Sequence, residues 1–155
     1  MKILGIETSC DETAVCIIEV NESKKGPTLK VLGNQLYSQI SKHQEFGGVF
    51  PMLAKREHAK NLVPLFEKCL QESLLYIENK EAVKQINLEK ISEILVREDN
   101  LYVELKKLLE TVEKPEIDAI AVTNGPGLEP ALWVGVTFAK ALSEAWNIPR
   151  LHSGL

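Results

Sequence analysis

Apolar positions fall first in short runs and only later in the three-and-four spacing of helices. Residues 2–7 (KILGIE) are short and apolar, as in a buried strand. Ala14 to Val20 is a near-continuous apolar run, the pattern of a central strand covered on both faces. Asn21 to Pro27 (NESKKGP) is a turn signal. Thr28 to Ile40 reads as a third strand, in which Gly33-Asn34 breaks the alternation and marks a bulge. After GGVFP the period changes. Leu62, Leu65, Phe66, Cys69 and Leu70 lie on one face of an amphipathic helix running from near Pro51 to about Leu75, with Pro64 as a kink point.

Residues 76–113 are charged and strongly helical in propensity. Their apolar stripe is Leu101, Leu105, Leu108, Leu109 and Val112, which serves either the packing of a surface helical hairpin or the docking of a partner. Ile117 to Thr123 is a fourth apolar strand, NGPG a tight loop, and Glu129 to Trp146 a last helix closed by NIP. The order β-β-β-α-(α-α)-β-α is not a simple Rossmann alternation. It predicts an α/β fold of the ribonuclease-H-like type: a mixed sheet, an antiparallel meander joined to parallel strands, with helices on both faces.

Composition narrows the chemistry. The chain has 155 residues, 45% of them hydrophobic, and a net charge of -4. That suits one globular domain or part of a larger one, and it excludes an overall basic nucleic-acid clamp. No stretch approaches the ~18 apolar residues of a membrane span, and no signal peptide is evident, so a soluble, cytoplasmic protein is expected. Cys10, Cys16 and Cys69 form neither a disulfide framework nor a zinc knuckle. Cys16 and Cys69 fit apolar faces, while the acids around Cys10 disfavour a thiolate nucleophile.

Three stretches carry candidate chemistry. The first is GIETSCDET, Gly5 to Thr13. Its hydroxyls at Thr8, Ser9 and Thr13, with the backbone N–H groups of the turn, could cradle a phosphate. Asp11 and Glu12 would repel a bare phosphate, but they suit a bridging cation, a substrate amine, or the removal of a proton. The plain alternative is an acidic hairpin tip in solvent. The second is GGVFPMLAKREHAKNLVP. Lys55, Arg56, His58 and Lys60 cluster at the front of a helix, where the dipole favours acids instead. That conflict points to an anion such as RNA phosphate, against a solvated helix face. The third is TNGPGLEPALWVGVTFAKAL, in which a strand enters a Gly125-Pro126-Gly127 loop and then a helix N-terminus, a geometry that faces anions. No P-loop is present, no HExxH occurs, and His58 and His152 are lone histidines. Glu129 serves the helix dipole, and Gly135 implies close packing of helix on sheet.

Taken in order, ILGIETSCDET, NQLYSQ, GGVFPMLAKREHA with NLVP, and IDAIAVTNGPGL with ALWVGVTFAKAL and AWNIP resemble the universal tRNA threonylcarbamoyladenosine transferases, once labelled O-sialoglycoprotein endopeptidases. The likeness covers about residues 1–75 and 115–149. It implies the N-terminal lobe of an actin/Hsp70/sugar-kinase-like fold, and a reaction that moves threonylcarbamoyl from threonylcarbamoyl-adenylate to an adenosine amine beside the tRNA anticodon. By that resemblance Asp11 and Glu12 would be catalytic. Thr8, Ser9, Gly125 and Gly127 would lie at the adenylate and its phosphate, and Lys55, Arg56 and His58 would face tRNA or substrate. It also implies a divalent metal (iron or zinc), a paralogous dimerisation partner and an accessory ATPase, with no membrane.

The chain departs from the family after AWNIP. Where the family places the first histidine of an HxxxH metal pair, this chain has Leu155, and His152 is three positions early. The expectation is therefore an N-terminal lobe over residues 1–149, carrying a helical insertion at about 76–113. A divergent tail follows at 150–155, with the metal ligands and the C-terminal lobe absent and little activity alone. The competing expectation is a non-catalytic paralogue-like scaffold that dimerises with the transferase, and a sugar or acetate kinase half is a weaker third.

Overall fold

The computed structural model describes residues 1–78 and 86–151; what the sequence suggests for His152 and Leu155 lies outside them. Strands β1 (Lys2–Glu7), β2 (Glu12–Asn21) and β3 (Thr28–Ser38) form the expected antiparallel meander. Ile17 pairs with Gly33 but Ile18 with Val31, so Leu32 is the extra residue of a bulge beside the predicted position. Helix α1 (Ile40–His43) and a single 3-10 turn (Gln44–Phe46) lead into α2 (Pro51–Glu72). Helices α3 (Leu88–Ile94) and α4 (Asp99–Thr111) follow, then β4 (Ala119–Val122), α5 (Glu129–Trp146) and β5 (Arg150–Leu151). The sheet order is β3-β2-β1-β4-β5, with β4 and β5 parallel to β1. The first two residues of the expected tail thus extend the sheet.

The helical layer lies on one side. Leu4, Ile17 and Gly33 share a face, and a Cβ at Gly33 would stand 2.7 Å from the Cys69 carbonyl of α2. Ile6 is on the same face, against Gly135 of α5. Helices α2 and α5 pack on each other, and α4 and α3 pack in turn on them. The predicted cover on both faces is therefore met on one face among the described residues. The other face carries Ile3, Ile18 and Val31 in register, with Leu29, Val31 and Leu36 largely exposed. Strand β2 accordingly alternates buried Thr13, Val15 and Ile17 with half-buried neighbours, where the apolar run predicts burial on both sides.

The core lies between sheet and helices. Phe66 of α2 meets Phe138 of α5 edge to face at 5.8 Å, with Trp146 alongside. Leu101, Leu105, Leu108, Leu109 and Val112 are all buried in the same core, so the stripe of the charged segment serves packing. Burying each such leucine contributes roughly 1.5–3 kcal/mol before entropy is counted. Among the described residues no helix is long and apolar enough to cross a membrane.

Candidate functional site

Parallel β1 and β4 end on the same side of the sheet, so the segments that follow them meet there, the usual location of sites in such sheets. The Leu128 N–H donates to the Ser9 carbonyl at 2.8 Å. A Cβ on Gly127 would fall 2.7 Å from that carbonyl, so only glycine admits the approach. Glu7, the last residue of β1, ties both segments. Its carboxylate accepts from the Ser9 N–H at 2.6 Å and from the Thr123 hydroxyl. The acid bend and the Gly-Pro-Gly loop therefore form one surface. Glu7 was not singled out in the sequence; as the final alternating position of β1, it falls on the face away from Leu4 and Ile6.

Asp11 and Glu12 are half-buried at the bend. Burial pushes the Glu12 carboxyl above its ordinary value, and the adjacent Asp11, in charge and hydrogen bond, adds to the rise; Glu7 acts the same way, against a bond from Ser38. A carboxyl raised in this way holds a proton more readily than an ordinary glutamate does.

The remaining predicted residues divide. Thr8 is fully buried. Its hydroxyl donates to the Ala131 carbonyl at 2.9 Å and accepts from the Gly135 N–H at 3.2 Å, so it joins β1 to α5 and is not turned to a phosphate. At the start of α5 the Leu128 N–H is engaged by Ser9 and Pro130 has none, which leaves less of that terminus for an anion than the motif suggests. Ser9, Gly125 and Gly127 remain at the surface, half-buried or exposed.

His58 is also fully buried, with its ring beneath the bend. Its Nε2 lies 3.2 Å from the Cys10 carbonyl, and its Nδ1 lies 2.8 Å from the Thr13 hydroxyl and 3.3 Å from Gln39 Nε2. Burial lowers its pKa, the Cys10 bond opposing. Gln39, the last residue of NQLYSQ, and His43, four residues on, are both buried and continue the network.

Lys55 pairs with the buried Glu98 at 2.9 Å. Arg56 and Lys60 are exposed, and with Arg97 they line a cleft of about 940 Å³ between α2 and the start of α4. Among the described residues these three cations form no ion pair. Of the predicted basic cluster, Arg56 and Lys60 are therefore the side chains best presented to an anion.

The donor set does not fit a divalent metal. Both ring nitrogens of His43 and of His58 are engaged in hydrogen bonds, and no three His, Cys, Asp or Glu side chains converge among the described residues.

A family model described as TsaD, tRNA N6-adenosine threonylcarbamoyltransferase, matches residues 30–84 and 98–152. Among solved structures, YeaZ from Pseudomonas aeruginosa matches with a TM-score of 0.48 and 15% identity over 97% of this chain and 42% of that one. A protein with similarity to peptidase YEAZ from Pseudomonas aeruginosa gives 0.47 and 17%, over 97% and 41%. This chain spans about two fifths of the length of both structures.

Proposed function

Because the chain belongs to the tRNA N6-adenosine threonylcarbamoyltransferase family, we propose that its acid bend forms one wall of a site for threonylcarbamoyl transfer. In that reaction the exocyclic amine of a tRNA adenosine attacks the threonylcarbamoyl carbonyl of threonylcarbamoyl-adenylate. The N–C bond forms, the C–O bond to phosphate breaks, and AMP leaves. Glu12 takes the proton that the amine gives up, its affinity for that proton raised by burial and by the neighbouring Asp11. Ser9, Gly125 and Gly127 line the adenylate. Arg56, with Lys60 and Arg97 in the adjoining cleft, meets tRNA phosphate. The observation that carries this reading is the contact of Ser9 with Gly127 and Leu128, which joins the acid bend to the glycine loop.

Among the described residues the side chains make no site for the family's metal. The bend opens to solvent, whereas nucleotide sites enclose most of their ligand, so the chain alone is expected to turn over little. The test is a chimera in which residues 1–149 replace the matching part of a full-length relative, assayed with labelled threonylcarbamoyl-adenylate and tRNA. Transfer that falls at least 100-fold in Asp11→Ala and in Glu12→Ala supports the reading. Full activity in both variants overturns it.

A second reading is a scaffold that pairs with the transferase and, through it, with an accessory ATPase. Trp133 of α5 and Val103 of α4 favour it, being large apolar side chains left 44% and 48% exposed on the helical layer. Co-purification with the transferase, together with an inactive chimera, would select this reading.

A further inference from the structure

The buried network beneath the acid bend has a fixed direction. Its first group, the Phe50 N–H, can only donate, and it does so to His43 Nδ1 at 3.2 Å. The last, the Cys10 carbonyl, can only accept, and it does so from His58 Nε2 at 3.2 Å. Between them His43 Nε2 lies 2.9 Å from Gln39 Oε1, and Gln39 Nε2 lies 3.3 Å from His58 Nδ1. The two ends decide every proton: each imidazole carries its hydrogen on Nε2, and each link donates toward Cys10. The Thr13 hydroxyl joins as a further donor to His58 Nδ1 at 2.8 Å, and the Gln39 backbone N–H holds the Asp11 carbonyl at 2.8 Å. Residues 10, 11 and 13 are thus tethered to one network, and Glu12 lies between the tethers.

We propose that His58, Gln39 and His43 are positioning residues that set the Asp11–Glu12 pair from the GGVFP loop, through a one-way chain of hydrogen bonds from Phe50 to Cys10. None of the three reaches the open surface, so they act through the bend and touch no substrate. The charged and titratable groups facing His58 are Glu7 from the end of β1, Asp11 from the β1–β2 turn and His43 from α1. A proton added at His58 Nδ1 would confront the Gln39 amide and the Thr13 hydroxyl. Turning that amide would break its bond with His43. The chain therefore holds only while His58 is neutral, in keeping with the lowering of its pKa by burial.

This proposal deepens the reading of Asp11 and Glu12 as the acids of the site, but it is tested on the chain itself. Long-range ¹H–¹⁵N spectra of the wild-type protein should show His43 and His58 as Nε2–H tautomers; an Nδ1–H tautomer at His58 overturns the proposal without any variant. Carboxyl ¹³C titration should show the Glu12 midpoint falling toward the ordinary glutamate value in His58→Leu. It should stay near wild type in His58→Gln, whose amide can still donate to Cys10. A Glu12 midpoint unchanged in a folded His58→Leu protein overturns the proposal. If His58→Leu does not fold, the same comparison is made in Gln39→Leu, and the wild-type tautomers decide independently. An inactive chimera leaves this result untouched, so the two failures are distinguishable.

Discussion

Gly135 of α5 lies so close to Thr8 of β1 that a Cβ there would stand 2.5 Å from the threonine hydroxyl oxygen. That hydroxyl donates to the Ala131 carbonyl and accepts from the Gly135 N–H, two groups one turn apart on α5. Helix propensity alone would make Gly135→Ala stabilising by about 1 kcal/mol. Overpacking at a rigid contact costs about 1–3 kcal/mol. The expected result in urea denaturation is a net loss of up to about 2 kcal/mol. Thr8→Ala with Gly135→Ala should lose less than the sum of the singles, because Thr8→Ala removes the hydroxyl that the new methyl at position 135 would strike. A more stable Gly135→Ala single variant would refute the contact.

Phe66 and Phe138 join the two helices that cover the sheet, and both are fully buried. Phe66→Ala is expected to cost about 3–5 kcal/mol, the usual range for an aromatic deleted from a core. A loss below about 1 kcal/mol in urea denaturation would show that this centre is loosely packed.

Stability should also depend on pH through His58. Burial lowers its folded pKa below its unfolded value, so at acid pH the unfolded chain binds the proton more readily. The contribution is complete above the unfolded value near 6.5. It is lost progressively as pH falls from there toward the folded pKa. The slope of unfolding free energy against pH in that window should flatten in His58→Gln, and an equal slope in both proteins would contradict the assignment.

The three thiols should separate by reactivity. Cys69 is buried, and burial, with Cys16 nearby, pushes its thiol up to about 12; Cys10 is exposed. A colorimetric thiol titration of the native protein should label Cys10 first and reach Cys69 only after denaturant is added. Labelling of Cys69 at the rate of Cys10 would mean that α2 does not seat on β3.

The order of elements is legible in the sequence because local signals agree with the packing. Helix α5 runs from Glu129 to Trp146 as its pattern predicts, with Pro130 in its first turn and Asn147 at a positive φ closing it. Helix α1, with four residues, and β5, with two, are too short for any periodicity to mark. The one-sided sheet is not legible, because an apolar run does not report whether its second face is covered. Thr8 and His58 lie inside for a related reason. Thr8 follows Leu4 and Ile6 in the period of β1, and His58 stands four residues from Ala54 and from Leu62, so both continue buried stripes. Residue chemistry drew them to the surface, where periodicity already placed them inside. The Gln39–His43 link joins residues that carry no shared motif of their own, and only the fold brings them beneath Cys10.

Helix α2 runs for 22 residues, and Arg56 and His58 both lie in the rod of helix before Pro64. Arg56 stands on its outer side and His58 on its inner side, separated by about 3 Å of axial rise. The rod is therefore a ruler. Whatever anion Arg56 grips outside, its offset from the bend that His58 anchors inside is fixed by helix geometry and does not depend on how the surrounding loops settle.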